Sequence, residues 1–284
     1  MAARATSAKP STKQKHGVVK KRVVRTRERH QSPHSWVSDY QAVTTWMTSR
    51  HGTLERQLDA EPSGVVVVPN FLPNPVATWA RQVLRRLPSE EWADTYATQD
   101  VSHNNISHSF RSSRGSRSES GAALQDLLRA VSEALPGRLS SFSAARYATG
   151  DHIVPHDDKA FTQVRLDTGE EIEASREIAL IWYLTPAWRA EYGGLFVDCQ
   201  AGRTVVPAFN TAVLFRVPHL HEVTAMTSGA PPRYSIFGWF LRPGRMYELD
   251  LGESREKEAG ARKDGRRTKA LSKARRRLAP SNIV

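Results

Sequence analysis

The chain has 284 residues, of which 39% are hydrophobic, and this is enough for one domain with extensions or for two small domains. Its single cysteine, Cys199, excludes an internal disulfide framework and a cysteine-rich zinc site, and it favours a reducing compartment. No apolar run approaches the ~18–20 residues that a membrane span needs, so we expect no membrane partner.

The formal net charge of +12 is concentrated at the two ends of the chain. Residues 1–32 contain ten Lys and Arg and one acid, and residues 251–284 contain eleven Lys and Arg and four acids. The ends therefore carry +9 and +7, which leaves −4 of the +12 for the segment between them. Such runs are typical of solvated extensions, of nuclear addresses, or of arms that contact nucleic acid or a ribonucleoprotein.

Two basic clusters favour a nuclear or cytoplasmic location. KKRVVR at 20–25 and ARRR at 274–277 both fit a nuclear address. Residues 1–32 are also rich in Arg and poor in acids, so a mitochondrial or plastid transit peptide is the alternative, whereas no apolar segment suits a secretory signal. We therefore predict a basic disordered or targeting segment at 1–32 and a basic tail at 249–284.

The region before residue 136 is predicted to contain most of the helices. Residues 33–61 form a predicted N-terminal helical extension, and VVVVPNFLP after Gly64 predicts a buried strand that ends in a turn. Amphipathic helices are predicted from Pro73 to Leu87 and from Gly121 to Leu135. The polar stretch at 91–118 is predicted to be a mobile loop or exposed strands, and a mobile loop here would suit a lid over a substrate.

From Ser141 to Leu241 the pattern changes to short apolar or alternating runs that are separated by turn signals. Several closely spaced strands without long helices between them indicate an antiparallel sandwich or barrel. The predicted fold is therefore mainly β, with helices that brace the sheet.

The stretch HIVPHDDKAF, at 152–161, raises the question of a metal site. If it is a strand, alternate side chains share a face, so His156 and Asp158 point one way and Asp157 points the other way. His-x-Asp is then a natural pair of metal ligands. A surface turn without metal is the alternative for this motif taken alone.

A third ligand has to come from another part of the chain, and PHLHEV at 218–223 offers His219 and His221. These two histidines have the same strand parity, so periodicity does not choose between them. Two histidines and a carboxylate leave three coordination positions open, which suits non-haem Fe(II), and catalytic zinc is the competing metal.

Arg233 suggests a reason for the open positions. A 2-oxoglutarate cosubstrate would chelate the iron and would need a charged donor for its far carboxylate, which Arg supplies best. Arg233 opens the predicted strand RYSIFGWFL, and an antiparallel return could bring it beside the metal.

Several motifs follow one another in an order that identifies a family resemblance. They are YATG at 147–150, HDD at 156–158, EIALIWYLTPAW at 177–188, GGL at 193–195, the run from Asn210 to Val217, HEV at 221–223 and RYSIFGWF at 233–240. Residues 141–242 resemble the core of the 2-oxoglutarate and Fe(II)-dependent dioxygenases, and within these the prolyl-hydroxylase branch, which includes the Egl-nine and prolyl 4-hydroxylase types.

The resemblance implies a double-stranded β-helix core of the jelly-roll or cupin-like kind. The strand VVVVPNFLP and the helix after it also resemble the entry to this branch. The implied dioxygenase domain therefore spans 62–248, with its core strands at 141–242.

The resemblance also implies roles for individual residues. His156, Asp158 and His221 would bind the iron, and His219 would be a neighbour without a metal role. Arg233 would pair with the C5 carboxylate of 2-oxoglutarate. Two tyrosines and a serine would complete the pocket: Tyr183 at the same carboxylate, Tyr147 near substrate or cosubstrate, and Ser235 beside Arg233.

The implied reaction uses Fe(II), 2-oxoglutarate and O2, with ascorbate as a possible reductant, and it releases succinate and CO2 as a C–H bond is hydroxylated. The implied substrate is a prolyl residue of a protein, and the basic ends would suit a ribosomal, nuclear or nucleic-acid-bound target.

Three other functions are alternatives: a hydroxylase of a free amino acid or small metabolite, a non-enzymatic binder, and a nucleic-acid demethylase. Nucleic-acid demethylases usually carry a second Arg six residues after the first, and Trp239 at that position argues against them.

Overall fold

The protein is described by a computed structural model over residues 31–96, 106–115, 118–166 and 168–249. The basic segments predicted at 1–32 and 249–284 lie almost wholly outside these residues, so their predicted boundaries stay predictions. No helix in the described ranges is long and apolar enough to cross a membrane.

The helices lie in the N-terminal part of the described chain, as predicted. They are α1 Pro33–Ser38, α2 Tyr40–His51, α3 Leu54–Ala60, α4 Asn74–Arg86 and α5 Glu119–Ser132. The predicted helical extension at 33–61 is three short helices, because polar residues end one helix and begin the next. Asp39, for example, accepts a hydrogen bond from the backbone of Ala42 at 3.1 Å and thereby caps the start of α2.

The strands follow a single antiparallel pattern. They are β1 Val65–Pro69, β2 Ala93–Tyr96, β3 His108–Ser113, β4 Leu139–Tyr147, β5 His152–His156, β6 Phe161–Arg165, β7 Glu171–Tyr183, β8 Phe196–Asp198, β9 Arg203–Val205, β10 Thr211–Arg216, β11 His221–Val223 and β12 Arg233–Pro243. The main path of the sheet is β1-β10-β7-β12-β4-β3-β5-β11-β8-β9, with β2 beside β3 and β6 beside β7. This curled antiparallel sheet confirms the predicted jelly-roll core.

The polar stretch predicted at 91–118 contains two strands rather than only a loop. β2 and β3 pair as antiparallel neighbours, with Thr95 opposite Phe110. β3 also pairs with both β4 and β5, so this pair of strands continues the main sheet. Residues 97–105 and 116–117 lie outside the described part of the chain.

The central strands separate the helix-facing core from an inner cavity. On β7, Leu180 and Trp182 pack in the same cluster as Leu84 of α4 and Leu127 of α5. Tyr183 belongs to a different cluster, on the inner side of the sheet. Because successive side chains of a strand point to opposite faces, one set builds the core while the other is free to build a site.

Candidate active site

The structure brings His156, Asp158 and His221 together at the inner face of the sheet. His156 ends β5 and lies opposite His221, the first residue of β11. The Nε2 atom of His156 is 3.2 Å from Oδ1 of Asp158, and Nε2 of His221 is 3.8 Å from Oδ2. One ligand atom from each of the three residues can be chosen so that all lie within 4.8 Å of one another.

The prediction that one strand carries both His156 and Asp158 is wrong. β5 ends at His156, and Asp158 has a left-handed backbone with φ of 63°. The carboxylate reaches the histidines through this turn and not through strand alternation. Asp and Asn adopt the left-handed region more readily than most residues, which is compatible with an aspartate at this position.

Backbone carbonyls fix the ring orientation of both histidines. Nδ1 of His156 donates to the carbonyl of Val154 at 2.9 Å, and Nδ1 of His221 donates to the carbonyl of His219 at 2.7 Å. A carbonyl oxygen only accepts, so each Nδ1 carries a proton. A neutral ring then has its lone pair on Nε2, the atom that lies toward Asp158.

The charges of the three residues are coupled. Burial opposes ionisation of Asp158, but the hydrogen bond with His156 and the nearby charge of His221 outweigh it and hold the pKa of Asp158 below its usual range. Burial lowers the pKa of His221 to about 4. For His156 burial acts in the same direction, but the hydrogen bond to Asp158 prevails and raises its pKa. A bound cation would replace the proton shared by His156 and Asp158, so metal binding should release protons.

His219 does not join this cluster. Its Nε2 atom lies 2.9 Å from Oδ1 of Asp198, and both side chains are buried. The ring is therefore engaged by Asp198, while the backbone carbonyl of His219 orients His221. Periodicity did not choose between His219 and His221. In the structure His219 is bound to Asp198, and His221 is the histidine that lies near His156 and Asp158.

Arg233 and Tyr183 lie close together and line the same cavity. Arg233 begins β12 and is 2% exposed, and its Nη1 donates to the carbonyl of Gly194. Among the described residues, Nε of Arg233 and the hydroxyl of Tyr183 are buried without a hydrogen-bond partner. Burial raises the pKa of Tyr183 to about 12, so the phenol stays protonated as a potential donor.

Tyr147 and Ser235 lie close to Arg233 and Tyr183. The guanidinium of Arg233 lies 4.0 Å from the ring centroid of Tyr147, and Ser235 is opposite Tyr183 in the β-sheet register. All four side chains line the cavity that contains His156, Asp158 and His221. The cavity has a volume of about 560 Å³.

Two further residues near the metal ligands were not predicted as site residues. Nε1 of Trp239 donates to Oδ2 of Asp158 at 2.9 Å, and the guanidinium of Arg176 stacks on the Trp239 ring at 3.5 Å. Trp239 has the strand parity of Arg233, and that signal could have identified it. Arg176 has the opposite parity to Tyr183, and it reaches the cavity because the pairing of β7 with β12 shifts by one residue near Phe240.

These donors fit a metal with a carboxylate-bearing cosubstrate. Two imidazole nitrogens and one carboxylate are the ligand set of non-haem Fe(II) sites that keep open positions. The hydroxyl of Tyr183 and the side chain of Arg233 offer donors that a carboxylate would satisfy.

Residues 142–241 match the model of the 2OG-Fe(II) oxygenase superfamily. The chain is also similar to the mouse protein prolyl 3-hydroxylase OGFOD1, with 31% identity over 112 residues. The aligned stretch covers 36% of this chain but only 18% of the mouse protein, so the similarity concerns a small part of that relative.

Solved structures of prolyl hydroxylases are similar at lower identity. A prolyl hydroxylase from Trichoplax adhaerens, in complex with a peptide of the hypoxia inducible factor oxygen degradation domain, is 21% identical, with a TM-score of 0.49 and coverage of 70% of this chain and 90% of that chain. A prolyl-4-hydroxylase of Pseudomonas putida is 22% identical, with a TM-score of 0.42 and coverage of 72% and 100%.

The family match covers the strands that carry His156, His221 and Arg233, and the mouse relative is of the kind that the motifs predict. Residues 142–241 therefore match the 2OG-Fe(II) oxygenase superfamily model, and part of the chain is similar to a prolyl 3-hydroxylase.

Proposed function

We propose that this protein is a 2-oxoglutarate- and Fe(II)-dependent dioxygenase that hydroxylates a prolyl residue of a protein substrate. One observation carries the proposal. The histidine and carboxylate cluster shares its cavity with Arg233 and Tyr183, and among the described residues neither Nε of Arg233 nor the hydroxyl of Tyr183 has a hydrogen-bond partner.

His156, Asp158 and His221 would hold the iron. When it is bound, the iron with 2-oxoglutarate and O2 supplies the oxidant that hydroxylates a C–H bond, and succinate and CO2 are released. Trp239 holds the Oδ2 atom of Asp158 by a hydrogen bond. That contact restricts rotation of the carboxylate and would thereby fix its orientation toward a bound metal.

Arg233 and Tyr183 would bind the C5 carboxylate of 2-oxoglutarate. Both are buried, and a guanidinium ion and a phenol donate strong hydrogen bonds to a carboxylate in an environment without bulk water. Tyr147 covers the guanidinium of Arg233 with its ring. The ring thereby excludes water from the place where the two charges meet.

The wall of the cavity on the side of β3 favours a compact apolar substrate group such as a proline ring. Phe110 stacks on Tyr147 with 5.1 Å between the ring centroids, and Phe237 meets Phe110 edge-on at 5.6 Å. Ile153 and Val223 line the cavity beside them. The similarity to a relative named as a prolyl 3-hydroxylase supports the same substrate class.

A turnover assay with cell extract tests the proposal. The full chain is incubated with Fe(II), 2-oxoglutarate, ascorbate and O2, succinate is quantified, and extract peptides are searched by mass spectrometry for proline that has gained one oxygen atom. We expect such peptides with the wild-type protein and none with His156→Ala. Oxygen gained only by free amino acids or metabolites would support the small-molecule alternative, and no succinate in any extract would support a binding protein.

A further inference from the structure

The segment Gly244–Tyr247, directly after β12, returns to strand β7 and is fixed there by hydrogen bonds. The amide of Gly244 donates to the carbonyl of Glu173 at 2.9 Å, and its carbonyl accepts from the hydroxyl of Ser175 at 2.7 Å. That hydroxyl also accepts from the amide of Met246 at 2.9 Å. These hydrogen bonds fix the position of Tyr247 beside the turn that carries Asp158.

The hydroxyl of Tyr247 joins two backbone segments. It accepts from the amide of Ala160 at 3.1 Å, and its proton is shared between the carbonyls of Ala160 at 2.9 Å and Arg176 at 3.0 Å. The ring stacks on Phe161 with an interplanar angle of 12°. The carbonyl of Ala160 also accepts from the amide of Arg176 at 3.2 Å, so the hydroxyl of Tyr247 adds two hydrogen bonds to the one that joins this fully buried residue to β7.

These contacts surround Asp158 without touching it. Ala160 follows Asp158 by two residues, in the turn between β5 and β6. Arg176, whose carbonyl lies beside the hydroxyl of Tyr247, stacks on Trp239, the residue that donates to Asp158. Tyr247 thus contacts the backbone of Ala160, close to Asp158 in the chain, and the backbone of Arg176, whose side chain stacks on the hydrogen-bond donor of Asp158.

We propose that Tyr247 is a positioning residue for Asp158. By fixing Ala160 against β7, its hydroxyl holds the left-handed turn in the conformation that aims the carboxylate at His156 and His221. The inference rests on the proposed function in one respect, since it takes these three residues to be the metal ligands. It assigns a role in metal binding to a residue outside the cavity.

The test is Co(II) binding by the full chain with Tyr247→Phe, which keeps the ring and removes the hydroxyl. We expect the Kd for Co(II) to rise about 10-fold or more, as for other groups that support metal ligands, and the visible absorption of bound Co(II) to change. Tyr40→Phe is the matched control, because it removes a hydroxyl that contacts Arg129 on the helical side. The control should leave both readouts unchanged.

A second variant distinguishes the effect of losing the Tyr247 hydroxyl from the effect of destabilising residues 244–247. Arg245→Ala removes the ion pair with Glu173 but leaves Tyr247 intact, so it should change the Kd far less. All proteins are compared at a temperature at which circular dichroism shows them folded. An unchanged Kd and spectrum for Tyr247→Phe, or an equal loss in Arg245→Ala, would overturn the inference. If the wild-type protein itself does not bind Co(II), the proposed metal site fails.

Discussion

The hydroxyl group of Tyr183 lies in the interior of the protein, and among the described residues nothing accepts its proton. A buried hydroxyl without a partner costs about 1–3 kcal/mol of folding free energy. Such a cost is reasonable where a ligand relieves it, and the adjacent side chain of Arg233 indicates that the ligand is an anion. At the residue scale, the buried hydrogen-bond donors without partners therefore indicate where the cosubstrate binds.

Substituting Tyr183 with Phe should separate stability from cosubstrate binding. Without ligand, we expect the free energy of unfolding to stay the same or to rise by about 1 kcal/mol, because the unsatisfied hydroxyl is gone. With Fe(II) under anaerobic conditions, 2-oxoglutarate should raise the unfolding temperature less than in the wild type. Thermal unfolding with and without 2-oxoglutarate measures both effects.

Tyr234→Phe is the matched control, because Tyr234 neighbours Arg233 in the chain but packs against the helix-facing core. It should leave the shift caused by 2-oxoglutarate unchanged. A Tyr183→Phe protein that is less stable without ligand, yet responds fully to 2-oxoglutarate, would contradict this interpretation.

Arg233→Lys should weaken the binding of 2-oxoglutarate without changing the affinity for the metal. Lysine keeps the positive charge but loses the planar pair of donors that matches a carboxylate. We expect the KM for 2-oxoglutarate to rise about 10- to 100-fold, the range for loss of one hydrogen bond between charged groups. Steady-state succinate formation measures the KM, and Co(II) titration should give an unchanged Kd.

Arg216→Lys provides the comparison, since Arg216 is an exposed residue paired with Asp59. Equal KM values for Arg233→Lys and the wild type would show that Arg233 does not bind 2-oxoglutarate.

Sequence reasoning reached most of the site residues but not the geometry that joins them. The preference for His221 over His219 came from the family resemblance, because the two histidines have the same strand parity. Asp158 was predicted from a motif interpreted as a strand, whereas it lies in a turn with a left-handed backbone that the motif does not predict. Arg176 was missed because a one-residue shift between paired strands leaves no mark in a single sequence.

At the scale of elements, the approach of β12 to β4 depends on one glycine. Gly238 lies opposite Phe142, and a side chain at this position would collide with the carbonyl of Ser141. The backbone of Gly238 does not have a positive φ, so its requirement is one of space. The two strands that hold Arg233 and Tyr147 pack closely because this position has no side chain.

Gly238→Ala should therefore destabilise the sheet by more than about 3 kcal/mol, through overpacking that backbone atoms cannot relieve. Gly229→Ala is the control, because Gly229 has a φ of 82° and open space around it. That substitution should cost only the backbone strain of about 1–2 kcal/mol. Chemical denaturation compares the two variants, and an equal loss would show that the contact with β4 does not limit packing.

The elements themselves were largely predictable. The run of valines at β1 and the amphipathic patterns of α4 and α5 carry strong local signals, and the structure has these elements within a few residues of the predicted bounds. The pairing of β2 with β3 was less accessible. Polar residues dominate that stretch, so its sequence lacks the alternation of apolar and polar residues that predicts a strand. Its conformation depends on pairing with the neighbouring strands of the sheet.

At the scale of the whole molecule, the opposite charges of the ends and the body suggest separate roles. We propose that the basic segments at 1–32 and 249–284 direct the protein to the nucleus or to a nucleic-acid-bound substrate. They lie almost wholly outside the described residues, and the charge of +9 on residues 1–32 and +7 on residues 251–284, against −4 on the segment between them, is the observation that supports the proposal.

Removing residues 1–32 should lower the nuclear signal of a fluorescent fusion, and removing residues 250–284 should weaken binding to a non-specific RNA. The second effect should be largest at low salt, because contacts with phosphate are weakened as salt competes for them. Microscopy and binding assays at two salt concentrations measure the effects. Import of the full-length fusion into mitochondria or plastids would refute the nuclear proposal.

The two faces of β7 and β12 have a consequence for how this protein can diverge. Side chains that pack on the helices and side chains that line the cavity alternate along the same strands. A lineage can therefore replace Phe237, or other residues of the cavity wall, without disturbing the packing of Ile236 and Phe240 on the other face. Selection can change which substrate is accepted by single substitutions, while the fold is inherited unchanged.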